Sequence, residues 1–246
     1  MKRNSGSRKL SVLMFVFGIA ALVLRKTLYT VAVDVKGLLL RNHPLEIALA
    51  ALTGLALTVV VLAVWKRKGS SAYEDHYSAD LPAAFGNLAA GAGILVTVLT
   101  GVSEMGSYLE GVWRILGLAA PVCFGLAGVA RIRGKRPFFL LHVVVCLFFV
   151  LHIVTRYQLW SGNPQMQDYV FSLLGAMALM FFGFYAAAME AGCGSCRMTL
   201  GMGLAAVYLC TAELARSSDP ALYLGGILWV LTDLCSIRNI SDNEEN

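Results

Sequence analysis

The chain has 246 residues, of which 58% are hydrophobic and 14% charged, with Lys and Arg exceeding Asp and Glu by 5. A soluble domain carries about 25% charged residues to coat its surface, so this composition excludes a water-soluble globular protein. The apolar residues fall in unbroken blocks of the length that crosses a hydrocarbon core of about 30 Å. They predict an all-α integral membrane bundle, and runs such as LEIALAALTGLALTVVVLAVW lack the alternation of a β-barrel.

The first predicted span, residues 10–25, follows MKRNSGSRK. Together they resemble the charged and apolar regions of a secretory signal, but no A-x-A cleavage site follows. The run is therefore read as a membrane helix, its amino terminus held in the cytoplasm by Lys2, Arg3, Arg8 and Lys9. The second span, 45–65, stops at Lys66, Arg67 and Lys68, before the polar stretch SSAYEDHYSADL. The third, 82–102, begins at Pro82, which suits a first helical turn because its missing N–H would be unpaired anyway. A fourth, 112–129, ends at RIRGKRP; a fifth, 138–155, leads to RYQLWSGNPQMQD. The sixth, 169–191, is joined by GCGSCR to the seventh, 198–214, and RSSDP turns the chain into the eighth, 221–237, before the acidic tail SDNEEN.

Eight spans return the carboxyl terminus to the cytoplasm, and the basic residues test that count. Thirteen Lys and Arg fall in predicted cytoplasmic segments and seven in outer ones, the bias of a bacterial cytoplasmic-membrane protein. The bias is strong for the first five spans and nearly absent for the last three, where Arg197 and Arg216 cancel. The basic excess thus sits at span ends, and no nucleic-acid-binding motif accompanies it. Trp65, Trp113, Trp160 and Tyr157 fall at predicted span ends, where amphipathic rings anchor in the headgroup layer. No self-similarity with a period of about 20–50 residues stands out in the sequence.

Between the first two spans lies VAVDVKGLLLRNHPLE, too short and too charged to be another span. It reads as an outer surface turn around Gly37, an interfacial segment at Leu38 to Leu40, and a stop at Pro44. Its charges are either simply solvated, the usual state of such a loop, or Asp34, Arg41 and His43 form the rim of a binding cleft. The run TLYTVAVDVKGLLLRNHPLE resembles an uncharacterised family of polytopic membrane proteins of Clostridia-type bacteria, which carries a similar Asp, Lys-Gly-Leu-Leu and His-Pro pattern between its first two spans. The resemblance implies a bacterial inner-membrane setting and brings no activity, substrate or cofactor.

An ionisable side chain within a span costs on the order of 2.5–3.5 kcal/mol, which makes each one a functional candidate until a neighbour explains it. Position along the spans predicts two layers: His142, Glu190 and Asp233 toward the inner side, His152 and Glu213 toward the outer. The inner group suits a proton relay or a cation site; Arg156 and Arg216 are expected to neutralise the outer pair. The plainer alternative is that each is satisfied by snorkelling or by a neighbouring helix.

Cys193-Gly-Ser-Cys196 can close a disulfide, lower a thiol's pKa or supply half a zinc site. A cytoplasmic location keeps such thiols reduced. Glycines in AAGAGIL, Gly117 with Pro121, and Gly201 with Gly203 point to close helix packing. No hydrolase, nucleotide-binding or metalloprotease fingerprint is present, and hydrophilic segments are too short to fold as a separate domain.

The expectation is a small permease or transporter-like subunit with no cofactor. Its partners are the lipid bilayer, an unidentified small molecule or ion, and further copies or other membrane subunits. The alternative is a structural or accessory membrane protein, and the third is a thiol-dependent membrane enzyme. A cavity reaching mid-depth beside the acids would favour the first; a tightly packed bundle would favour the second.

Overall fold

The computed structural model describes residues 5–32, 43–65, 80–101, 108–161 and 169–237. These form eight α-helices and no strand: α1 (Ser5–Val31), α2 (Pro44–Trp65), α3 (Leu81–Thr100), α4 (Tyr108–Ile132), α5 (Leu140–Trp160), α6 (Val170–Ala191), α7 (Cys196–Glu213) and α8 (Pro220–Ser236). Helices are what the composition demands, because a backbone in hydrocarbon must satisfy its own N–H and C=O groups. Each predicted span lies on one helix, and six of the eight (α1 to α6) are long and apolar enough to cross a membrane. Large apolar side chains such as Val16, Val23, Leu55, Val61, Val122 and Phe184 face outward, a belt that lipid rather than water accommodates.

Helices α3 to α8 form a closed circuit in which each packs on the next and α8 returns to α3; α1 and α2 lie outside it against α7. This explains why α7 is not among the six apolar spans. With neighbours α1, α2, α6 and α8 around it, 15 of its 18 residues are buried, so protein rather than lipid is its solvent. Its small residues permit the crowding: Gly201 faces Val64 of α2, and Gly203 faces Leu234 of α8.

The α3–α8 seam is closer still. A Cβ built on Gly93 would fall onto the Ala221 carbonyl oxygen, and one on Gly225 would lie 2.7 Å from the Ala89 oxygen. The glycines of AAGAGIL therefore serve backbone approach. Pro121 inside α4 lacks the N–H that would bond the Gly117 carbonyl. A Cβ on Gly91 of α3 would lie 3.2 Å from the Pro121 Cα, so α3 and α4 also approach closely there.

The interior of the circuit is filled by rings. Trp229 of α8 meets Phe124 of α4 edge-on at 4.8 Å between centroids and Phe182 of α6 at 4.9 Å. Of the four predicted headgroup anchors, Trp65 and Tyr157 are exposed, whereas Trp113 and Trp160 are each only 6% exposed. Trp113 packs on Phe148, and Trp160 stacks on Tyr169 at 4.3 Å. Position at a helix end did not decide their direction; the bulk of neighbouring rings did.

Candidate functional site

The polar side chains gather at the two ends of the bundle. At the end where α1 begins, Arg131 from the last turn of α4 is ion-paired with Asp233 of α8 and donates to Ser236 Oγ at 3.2 Å. Ser236 Oγ in turn donates to the Asp233 carbonyl at 2.7 Å. Beside this pair, His142 Nδ1 on α5 lies 2.9 Å from Glu190 Oε2 on α6, and the His142 ring stacks on Trp229 at 5.8 Å with the planes 11° apart. All four ionisable groups are buried. They line one recess with Asn87, Ala127, Pro137, Ala186 and Trp229, with about 10 Å³ of space for the centre of a water molecule, close to what a single water needs.

The predicted inner layer is thus brought together: His142, Glu190 and Asp233 share one recess. Asp233 is held by Arg131, which position alone had placed among the cytoplasmic anchors, and is not joined directly to the other two. The recess is floored by Trp229, whose ring also meets Phe124 and Phe182. Asn87 was not anticipated. It is a lone amide near the start of α3, opposite the end of α4, and only the antiparallel packing of those two helices puts it beside Arg131.

The predicted outer pair, His152 and Glu213, is not joined. Glu213, at the end of α7, is ion-paired with Arg25 of α1, which also donates to the Ala212 carbonyl at 3.2 Å and lies over the Phe171 ring at 4.9 Å. Arg156 pairs with Asp219 at 2.5 Å instead of neutralising Glu213 or His152, and Arg216 lies over the Tyr29 ring at 4.5 Å. The counter-ion is Arg25 because α1 continues past residue 25 to Val31 and carries Arg25, 2% exposed, to α7. Nearby, the Tyr223 hydroxyl donates to the Ser172 carbonyl at 3.0 Å and lies 2.7 Å from Ser172 Oγ. His152 takes no part in these pairs. It is buried against Trp113 and Phe148, with neither ring nitrogen hydrogen-bonded.

His43 precedes α2, where its Nδ1 accepts from the Leu45 N–H at 3.3 Å and its carbonyl accepts from Glu46 N–H at 2.9 Å. It acts as a helix cap; Asp34 and Arg41 lie outside the described residues. Cys193 and Cys196 are free thiols, the first exposed and the second buried. The link holding them is a helix stop: Gly192 takes a left-handed φ of 81°, and Cys193 N–H donates to the Ala188 carbonyl at 3.0 Å. Among the described residues no three His, Cys, Asp or Glu side chains group as metal ligands.

In comparison with known proteins, the chain matches no family model, no curated protein and no solved structure.

Proposed function

We propose that this membrane bundle is a small permease of a bacterial cytoplasmic membrane, and that protons enter its path at the recess where Arg131, His142, Glu190, Asn87 and Asp233 meet. The observation that carries this reading is convergence. Five polar side chains from five helices are spent on one recess, although small residues and apolar packing hold membrane helices together without them. The His142–Glu190 pair is a proton donor and acceptor 2.9 Å apart, suited to hold and pass a proton.

Both termini are cytoplasmic on this reading, and the recess opens to the cytoplasm. Support comes from the basic residues: Arg8, Lys9, Arg131, Arg133, Lys135, Arg136 and Arg197 belong to the recess end, against Arg25, Lys26, Arg114, Arg156 and Arg216 at the other. The ring cluster of Phe124, Phe182 and Trp229 then acts as the closed side of an alternating path.

The test is proton flux into proteoliposomes, read by an entrapped pH-sensitive dye under an imposed gradient. The unmodified chain should exceed empty vesicles, and Glu190→Gln and Asp233→Asn should lose the excess while staying monodisperse. Flux equal to empty vesicles would overturn the permease reading. The same ring cluster favours a second reading, an accessory bundle whose polar groups only fix helix positions, and that reading expects no flux.

A further inference from the structure

Asn87 is 2% exposed, and its side-chain N–H donates to the Ala83 carbonyl one turn back at 2.8 Å. Its Oδ1 is buried and has no hydrogen-bond partner. An amide oxygen stripped of water and left unpaired is a standing penalty that only an incoming donor relieves. Asn87 lines the recess, so the donor it lacks belongs there.

Charge sets a second requirement. From α6 and α8 come the carboxylates of Glu190 and Asp233, from α4 the guanidinium of Arg131, and from α5 His142. With His142 neutral, two negative charges and one positive leave a net charge of −1 among the described residues of the recess. Arg133, Lys135 and Arg136, on the link from α4 to α5, are exposed to solvent. An uncompensated charge in a bundle interior is costly, and one small cation or one proton cancels it.

Size and geometry set the third. The space accepts one particle the size of water. An alkali ion wants a shell of oxygens around it, whereas in the recess His142 already engages one oxygen of Glu190 and Arg131 one oxygen of Asp233, and Asn87 Oδ1 is the acceptor left without a partner. A cation that instead presents directed N–H donors matches an orphan acceptor beside two carboxylates.

We propose that the recess binds one ammonium-class cation, water-sized and carrying N–H donors, in exchange for the proton shared by His142 and Glu190. On binding, the cation donates to Asn87 Oδ1 and replaces the positive charge of the proton, which leaves to the solvent at the open side. The recess therefore alternates between a protonated and an ammonium-loaded form, each near neutrality. This deepens the permease reading and rests on it for the consequence that the two ions move in opposite directions.

The experiment uses the full chain in neutral phosphatidylcholine nanodiscs. Trp229, stacked on His142, reports the imidazole's protonation through its fluorescence, isolated as the difference from the Trp229→Phe variant. Ammonium, methylammonium, tetramethylammonium and sodium chlorides are titrated at constant ionic strength across a pH series. Ammonium at about tenfold its half-saturating concentration should move the midpoint of the Trp229 transition down by about one pH unit, as reciprocal linkage requires. Tetramethylammonium, which has no N–H, and sodium should leave it in place.

Asn87→Leu should weaken the ammonium response at least tenfold, and Asn87→Ser should weaken it less. The proposal is overturned if ammonium has no effect, if sodium or tetramethylammonium acts equally, or if Asn87→Leu responds like the unmodified chain. The salt series on the unmodified chain decides even if neither variant folds. Ammonium binding without proteoliposome flux would sink the permease reading and keep the site; flux without an ammonium shift would do the reverse.

Discussion

The two ends of the bundle are built from the same side-chain chemistry and use it differently. Where α1 ends, Arg25 meets Glu213 and Arg156 meets Asp219, and each pair ties distant parts of the chain together. Where α1 begins, Arg131–Asp233 and His142–Glu190 stand around a space, and an amide oxygen beside them is left without a donor. An ion pair inside a membrane bundle is therefore weak evidence of function, because a pair that consumes both of its members is a fastener. A buried acceptor left open where it also lines a recess, as Asn87 does, is stronger evidence, since a fastener gains nothing from it.

The largest effects should come from breaking the fasteners. Glu213→Ala strands the Arg25 guanidinium, and losing one member of a buried pair costs about 3–5 kcal/mol. Thermal unfolding in detergent should show that loss, and the double variant Arg25→Met with Glu213→Leu should recover most of it. At the recess end, Arg131→Met with Asp233→Leu should keep the fold equally well but abolish proton flux. A double variant at Arg25 and Glu213 that stayed as unstable as the single would erase the contrast between the two ends.

Trp229→Ala comes next. Removing a large core aromatic costs about 3–5 kcal/mol when the site cannot collapse, and here it also removes the floor of the recess between Phe124 and Phe182. Proteoliposomes carrying this variant should leak protons faster than the unmodified chain, whereas Trp229→Phe should stay tight. An accessory bundle expects the stability loss with no change in leak.

The bundle itself was legible in the sequence because block length and the absence of alternation are properties of single helices. Helix ends were less so: α1 runs from Ser5 to Val31 rather than over residues 10–25, since a membrane helix continues past its apolar block wherever a neighbour satisfies its charges. The inner group of His142, Glu190 and Asp233 could be read from depth alone. Its counter-ion and its orphan could not, because Arg131 and Asn87 join it only through which helices are neighbours. Depth failed at the other end for the same reason: His152 and Glu213 share a level but not an interface.

A smaller effect separates packing glycines from idle ones. Gly93→Val pushes a side chain onto the Ala221 carbonyl at the α3–α8 seam and should cost about 1–3 kcal/mol, the usual range for overpacking. Gly54 on α2 has no heavy atom within 4 Å of a built Cβ, so Gly54→Ala should not destabilise and should gain up to about 1 kcal/mol from removing a helix-interior glycine. Because the seam also positions Asn87 and Asp233, Gly93→Val should reduce proton flux as well, and Gly54→Ala should not.

The two buried histidines give the finest test. His142 is held by Glu190, so His142→Leu leaves a carboxylate without its partner and should lower stability by about 1–3 kcal/mol. His152 is 1% exposed, has both nitrogens unpaired and packs on Trp113 and Phe148, where the indole N–H of Trp113 is unpaired as well. Exchanging an unsatisfied imidazole for an apolar side chain removes a buried polar liability, so His152→Leu should be neutral or stabilising within about 1 kcal/mol. Thermal unfolding of the two variants side by side reads the difference. A loss at His152 as large as that at His142 would mean that a trapped water joins His152 to the Trp113 indole, and the region between α4 and α5 would then hold a polar site of its own rather than a packed ring stack.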